Sequence, residues 1–500
     1  MPSVPGKVKK APTATRQLRI AFDHDSTLRQ NLRDGVFSII VELNSPAADQ
    51  PLKLAMAPLV DLAKWVKKDK RVAAIAVAPA VGGEKPHDML DVAPPLHRAG
   101  GKESIVTFSG GGATLHDLRE KLAAFTSHGI QSFHCITGPA QPDHPVDRQG
   151  RPTTDPSRYV DSVRILRLLR DAEPDAFLGA AVNPFKYTIN DAYLQYFKMV
   201  KKLNSGASFL TVQAGWDMRK HQELQWYMRS RDIDEPCIAR LQLLRPHDIT
   251  RIIDHEMPGL VVSREFATLL QRESAVNEVQ AMTAQIRRLA LQAAGCRLFG
   301  YSGIQIAGIR DPETAKSVLD TVTGALEAYA DYETWHAAWT DFHAHVEMAP
   351  YPHRFYLFQR LLDIDAPDYL GDETPHTDAD IPPPPANLRL TFQVANSLGL
   401  DHRRGMPFDL LRMALCGARG NHDWQLDKTM LQSAYACPKG LENGPCGEVR
   451  ADGNCEWGHQ TCIYHRILEL AQWQRRLELF ETPLPSLDSE ATPKPTVSDD

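Results

Sequence analysis

Val36-Phe37-Ser38-Ile39-Ile40-Val41-Glu42-Leu43-Asn44-Ser45-Pro46 is the stretch whose reading decides the fold. A short apolar run bounded by turn-forming residues reads as a strand covered on both faces. One residue disturbs it. Glu42 is a carboxylate near the C-terminal end of the run, and burying it unpaired would cost several kcal/mol or raise its pKa. It is either a candidate acid or a residue at the solvated lip of the strand.

Working outward, strand-like and helix-like stretches alternate. Leu52–Lys68 has helical periodicity, and Val72–Ala78 and Ser104–Phe108 read as strands separated by a Gly/Pro loop. Thr114 resembles an N-cap for Leu115–Ser127. Gln131–Thr137, Phe177–Val182, Ser208–Gln213, Cys237–Leu244 and Gly303–Gly308 read as further strands. Between them lie helical patterns at Ser157–Ala172, Asp191–Leu203, Met218–Arg231, His247–Ala294 and Pro312–Tyr329. That makes about eight β-then-α units over roughly 300 residues, the size of a (β/α)8 TIM barrel of the α/β class. A doubly wound open sheet is the rival. No GxGxxG follows the first strand, and Gly110-Gly111-Gly112 lacks the Lys-Ser/Thr of a phosphate loop, so it reads as a turn.

The totals set limits. With 500 residues the chain can bury one large core and a smaller one. A net charge of -6 supplies no basic field for nucleic acid or anionic membrane, and no apolar run is long enough to span a bilayer. Residues 1–20 read as a flexible basic tail without the apolar core of a secretory signal. The barrel is expected over 21–330, a helical extension ending in a Pro-rich linker over 331–385, a Cys-rich domain over 386–481 with a terminal helix at Glu469–Glu481, and a disordered tail over 482–500. His336, His343, His345 and His353 read as a solvated helix surface rather than a metal site, and Trp335, Trp339 and Tyr351 as packing residues or an oligomer surface.

Several strand-like runs end in polar residues: Glu42, Thr137-Gly138, Asn183 and Gln213. In a barrel these ends converge on the catalytic face. With them in view, the chain from about Val36 to Val322 resembles methylenetetrahydrofolate reductase, a flavin-dependent (β/α)8 barrel. The resemblance rests on Val41-Glu42, Ile136-Thr137-Gly138, Val182-Asn183-Pro184, and above all Lys202-Leu203-Asn204-Ser205-Gly206-Ala207 through Thr211-Val212-Gln213 to Asp217. It implies Glu42 as a general acid of raised pKa that protonates the departing folate nitrogen. It implies Gln213 and Asn183 at the substrate, with Thr107, Thr137, Gly138, Asn183 and Lys202 at an FAD that NAD(P)H reduces. Lys202 would neutralise the flavin phosphates. Where the family shows Arg-Gly-Asp after strand four, this chain has Thr137-Gly138-Pro139; Thr107 and Asn183 stand where it shows His. The folate half of the pattern is therefore fuller than the flavin half, and Lys186 and Tyr187 are candidates for holding a flavin differently.

Cys437, Cys446, Cys455 and Cys462 fall within 26 positions at spacing C-x8-C-x8-C-x6-C, rich in glycine. Four thiolates suit Zn²⁺ or an iron–sulfur cluster, and the spacing does not separate them. The remaining cysteines are scattered, which suits a cytoplasmic protein better than a disulfide framework. The run Cys437-Pro438-Lys439 through Asn443-Gly444-Pro445-Cys446-Gly447, then Cys455-Glu456, is similar to the methylenetetrahydrofolate reductase C-terminal domain. Together the resemblances imply an oxidoreductase interconverting 5,10-methylene- and 5-methyltetrahydrofolate in one-carbon metabolism. The alternatives are a non-redox folate-binding accessory subunit or a methyltetrahydrofolate-dependent methyltransferase module. A homo-oligomer, or a partner protein for electron or methyl transfer, is compatible with either.

Overall fold

The computed structural model describes residues 26–79, 85–141, 143–148, 153, 159–257, 259–367, 380–403, 405–418, 426–433, 436–458 and 460–484. The tail expected over 1–20, the acidic part of the linker at 368–379 and the tail from 485 onward lie outside them.

The first half runs α1 (Thr27–Asp34), β1 (Ser38–Asn44), α2 (Leu52–Lys68), β2 (Val72–Ala78), α3 (Met89–Gly100), β3 (Glu103–Ser109), α4 (Leu115–Ser127), β4 (Ser132–Ile136) and α5 (Ser162–Ala172). It continues β5 (Phe177–Val182), α6 (Ile189–Asn204), β6 (Phe209–Val212), α7 (Met218–Ser230), β7 (Cys237–Gln242), α8 (Pro246–Ile253), α9 (Arg264–Val276), α10 (Glu278–Phe299), β8 (Gly303–Ala307) and α11 (Pro312–Ala328). Beyond these lie α12 (Tyr332–Phe342), α13 (Ala386–Ser397), α14 (Met406–Cys416), α15 (Ile463–Trp473) and a 3-10 turn at Leu477–Phe480. The strands close in order β1 to β8, all parallel, with Ser38 of β1 meeting Gly303 of β8. This is the expected (β/α)8 barrel, and the strand alternation that announced it holds throughout.

The base of the barrel is stoppered by α1. Leu28 is fully buried among Ile40, Ala74, Phe177 and Phe209 inside the strands. Beside it the Arg29 guanidinium donates to Glu103 (Nε–Oε1 2.9 Å) and Ser132 (3.0 Å). Gly179 of β5 is required by the same interior: a Cβ there would lie 2.3 Å from the Phe209 ring.

Barrel helices ordinarily keep one polar face in water. Here α6 and α7 are buried nearly all round. Residues 343–367 cross α7, where Lys220 and Glu223 form a buried ion pair (2.9 Å) and the Leu357 N–H donates to Glu223 (2.5 Å). The C-terminal segment covers α6, with His465 bonded to Asp191 (2.6 Å) and Asn190 donating to Glu469 (3.0 Å). Its apolar residues, among them Leu441, Ile467 and Leu470, belong to the same hydrophobic cluster as the barrel's outer layer.

Four local expectations change. The long helical region at 247–294 is three helices, and the loop before α9 dips toward the barrel mouth. The extension after α12 is not helical: Ala344 and His345 take positive φ, and Pro350 and Pro352 follow. The terminal helix starts at Ile463 and ends at Trp473, with Arg475 at φ +57 beyond it. His343, expected on a solvated face, is buried between Trp339 O (2.8 Å) and the Arg288 Nε–H (3.1 Å), while Trp335 is packing as expected. Among the described residues no helix is long and apolar enough to cross a membrane.

Leu28→Ala should destabilise the protein by about 2–5 kcal/mol, because the barrel base cannot collapse into the void. A thermal unfolding scan showing an unchanged Tm would mean that α1 does not stopper the barrel.

Candidate functional site

Glu42 points into the barrel near its C-terminal mouth, fully buried. It does not stand alone. Arg240 of β7 clamps it bidentately (Nε–Oε2 2.7 Å, Nη2–Oε1 2.8 Å), Gln305 of β8 donates to it (2.7 Å), and so does Asn44 (2.8 Å). Burial alone would raise this carboxyl, but the Arg240 charge and the four hydrogen bonds outweigh it and bring it down to about 2. The expectation of a raised pKa is therefore overturned: Glu42 is a locked carboxylate, with no proton to donate near neutrality. Arg240 and Gln305 went unread in the sequence. The signal was available, since Arg240 interrupts the apolar run Cys237–Gln242 as Glu42 interrupts its own.

Above the pair lies a cavity of about 230 Å³. It brings together the barrel residues that the resemblance assigns to substrate or flavin: Glu42, Thr107, Thr137, Gly138, Asn183, Lys202 and Gln213. Thr137 Oγ1 accepts the Ser162 N–H (3.2 Å), and Gly138, at φ +89, turns its carbonyl to Lys439 (2.7 Å). Asn183 is spent on the scaffold, its Nδ2 donating to the carbonyls of Gly259 (3.1 Å) and Gly447 (2.9 Å). Lys202 donates to Ala181 O (2.6 Å); burial and the neighbouring Lys198 lower its pKa to about 7, which suits it poorly to neutralising a phosphate. Gln213 Oε1 accepts the Ala214 N–H (3.0 Å), which fixes the amide and leaves Nε2 to face Gly259. His134 of β4, also unread, lines the same wall; burial and Lys202 lower it to about 4, so it is a neutral imidazole whose Nε2 has no partner.

The roof is Pro445-Cys446-Gly447-Glu448 of the C-terminal segment. Three lysines fasten it. Lys198 donates to Gly444 O (3.0 Å) and Pro445 O (2.6 Å), Lys186 to Gly447 O (2.9 Å) and Val449 O, and Lys439 to Gly138 O while pairing with Glu456 (2.5 Å). Lys186 is thus committed to the roof and Tyr187 to Asp217 (3.2 Å), so neither is placed to hold a flavin. Glu448 reaches the cavity with Oε2 shut off from solvent and without a hydrogen-bond partner, and burial and nearby Glu456 raise its pKa. A Cβ added at Gly259 would lie 2.8 Å from Gln213 Nε2 and 2.9 Å from Glu448 Oε2, so these two polar atoms approach one point from different parts of the chain.

The four clustered cysteines, expected as metal ligands, are joined by no disulfide. All are free thiols; burial pushes Cys437 and Cys455 to about 11 and Cys446 to about 12, and raises Cys462 as well. Cys446 Sγ is turned to Glu456 Oε1 (3.7 Å). Among the described residues no three His, Cys, Asp or Glu side chains are placed to hold a metal ion.

Residues 421–490 match the family described as methylene-tetrahydrofolate reductase C terminal, which bears out the resemblance drawn from Cys437–Gly447 and Cys455-Glu456. No curated protein matches the chain. Among solved structures, an uncharacterized protein from Clostridium thermocellum, described as binding two copies of 5-methyl-5,6,7,8-tetrahydrofolic acid, is 13% identical. The match covers 60% of this chain and 99% of that one at a TM-score of 0.41. A 2,3-dimethylmalate lyase of the PEP mutase/isocitrate lyase superfamily is 11% identical over 61% of this chain and 83% of that one, at 0.31. Neither likeness is close enough to bear on what this chain does.

Glu42→Gln should destabilise the fold by about 3–5 kcal/mol by leaving Arg240 buried without its counter-charge. The wild-type contribution is present above the unfolded carboxyl value of 4.5 and is lost as pH falls through about 2. Urea unfolding between those limits should therefore show a pH slope that is reduced in the variant; equal slopes would refute the ion pair.

Proposed function

We propose that this chain handles a reduced folate carrying a one-carbon unit, 5-methyl- or 5,10-methylenetetrahydrofolate, taken pterin-first into the barrel mouth. One observation carries the reading. The segment that matches the reductase C-terminal family roofs the cavity lined by the barrel's reductase-like residues Gln213, Lys202 and Thr107. A reduced pterin presents amine and lactam N–H donors beside a carbonyl acceptor. Glu448 Oε2, an acceptor without a partner, and the Gln213 amide donor beside it are complementary to that edge. Thr107 and neutral His134 complete a wall without a net charge, as an uncharged ring system requires.

The reaction class that the resemblance supports is interconversion of the two folates. A flavin would supply the hydride in such chemistry, but the residues here do not fit one. The cavity's 230 Å³ is small beside the roughly 300–1,000 Å³ of pockets for a single drug-sized ligand. The expected flavin contacts are either changed in type or bonded within the protein. The same small volume, with Glu42 held as a carboxylate, favours a second reading, in which the chain binds folate without redox chemistry as an accessory or methyl-transfer module.

Anaerobic purification, an absorbance spectrum and titration with 5-methyltetrahydrofolate separate these readings. Tryptophan fluorescence should report saturable binding, and Gln213→Ala should weaken it about ten-fold by removing one buried hydrogen bond. No binding by the wild type would overturn the proposal. Oxidation of 5-methyltetrahydrofolate with an artificial acceptor by a yellow protein selects the redox reading; binding by a colourless, inactive protein selects the other.

A further inference from the structure

The face of the barrel opposite the mouth holds a cavity that the folate reading does not use. It is open, of about 730 Å³, and lies where α2, α3 and α4 end and β3 begins. Five basic side chains line it: Lys67 from α2, His97 and Arg98 from the last turn of α3, Lys102 from the turn before β3, and His128 from the end of α4. Among the described residues Glu103 is its one lining carboxylate, and that group is already spent on Arg29 (2.9 Å) and on the hydroxyls of Ser26 and Ser132. Lys102 donates to the backbone carbonyls of Asp69 (3.1 Å) and Val72 (2.7 Å), while the Asp69 carboxylate is held by Arg71 (2.6 Å). Among the described residues Lys67, Arg98 and Lys102 thus form no ion pair with a carboxylate.

A single cation in the last turn of a helix answers the helix dipole. That accounts for one basic group on α2 and one on α3, but not for the convergence of these groups on one cavity. The turn at Gly101-Lys102 shows the convergence directly. Lys67 folds over it, so that a Cβ at Gly101 would lie 2.8 Å from Lys67 Cε and 3.0 Å from its Nζ, and the next residue is Lys102. Like charges gathered in this way repel one another. His97 registers the field: burial and the Arg98 charge hold its imidazole below the usual value. Its Nδ1 lies against Ser104 Oγ (3.0 Å), which leaves it a neutral hydrogen-bonding group beside the three cations. We propose that this cavity binds a polyphosphate chain, free or as the phosphate end of a nucleotide, with Lys67, Arg98 and Lys102 as its counter-charges. Matching three cations on one cavity takes a ligand that carries several charges in a compact group. A phosphate ester brings about −1.5 to −2 with three acceptor oxygens, where a carboxylate brings one charge. The volume lies within the roughly 300–1,000 Å³ of pockets for ligands of nucleotide size.

Isothermal titration of the full chain with inorganic tripolyphosphate, orthophosphate and an oligoglutamate peptide tests this. The wild type should take up one tripolyphosphate per chain and bind it more tightly than orthophosphate. Binding should weaken as the screening length falls from about 10 to about 3 Å between roughly 0.1 and 1 M salt. Arg98→Gln and Lys67→Gln, both at exposed positions, should each weaken it about two- to five-fold, the scale of one exposed ion pair. Lys53→Gln removes an exposed charge near the other end of α2, about 21 Å from Lys67, and should leave binding unchanged. Absence of saturable binding by the wild type would overturn the proposal. So would an equal loss in the Lys53 variant, which would reduce the effect to overall surface charge. An oligoglutamate bound as tightly as tripolyphosphate would show that the cavity takes acidic chains at large, and the assignment to phosphate would be wrong. Titration of the same samples with 5-methyltetrahydrofolate reads the barrel mouth separately, so either proposal can fail without the other.

Discussion

Three ammonium groups buried against backbone carbonyls hold this molecule in its working shape. Lys186, Lys198 and Lys439 each leave water, a loss that costs several kcal/mol unless the charge is fully hydrogen-bonded. Their carbonyl partners come from different parts of the chain: residues 444–449 for Lys186 and Lys198, and Gly138 for Lys439. None of the three can be satisfied unless the C-terminal segment lies across the barrel mouth. The roof is therefore a condition of burying α6 and the β4 loop as they are buried. Burial also lowers the pKa values of Lys186 and Lys198, while the Glu456 carboxylate holds that of Lys439 up; Lys201 and Lys202, which gain fewer partners, are drawn down to about 7 by burial and by the charge of Lys198.

The barrel itself was legible because parallel strands advertise themselves locally. Each is a short apolar run with a turn after it, and eight of them alternate with helical periodicity. Polar residues at their ends were legible for the same reason, and the fold duly brings them to one cavity. What they do there was not. Glu42 looked like an acid because its partner stands 198 positions away, on a strand that meets β1 only through β8. Local patterning marks a misplaced charge; it does not say which other misplaced charge will meet it.

The same limit governs the C-terminal segment. Four cysteines among glycines suggested a cage of thiolates, yet the glycines serve the backbone. Gly444, at φ +112, lets the chain turn over the mouth, where the carbonyls of Gly444 and Gly447 face the lysines below. Nothing in the spacing of cysteines could reveal that Lys198 and Lys186, on the barrel, were the groups for which those turns were shaped. Likewise α6 and α7 are buried nearly all round, because their covering comes from residues far along the chain.

A roof fastened in this way fixes the size of the site, and size constrains chemistry. With residues 445–448 in place, the mouth takes one ring system, floored by a carboxylate held down by Arg240 and roofed by a carboxyl that burial pushes the other way. Hydride transfer to a pterin needs a second planar donor in contact with the first. To admit one, the roof would have to lift, and the ammonium groups of Lys186 and Lys198 would lose their carbonyls at the same moment. The fold thus couples the space above Glu42 to the exposure of two buried lysines.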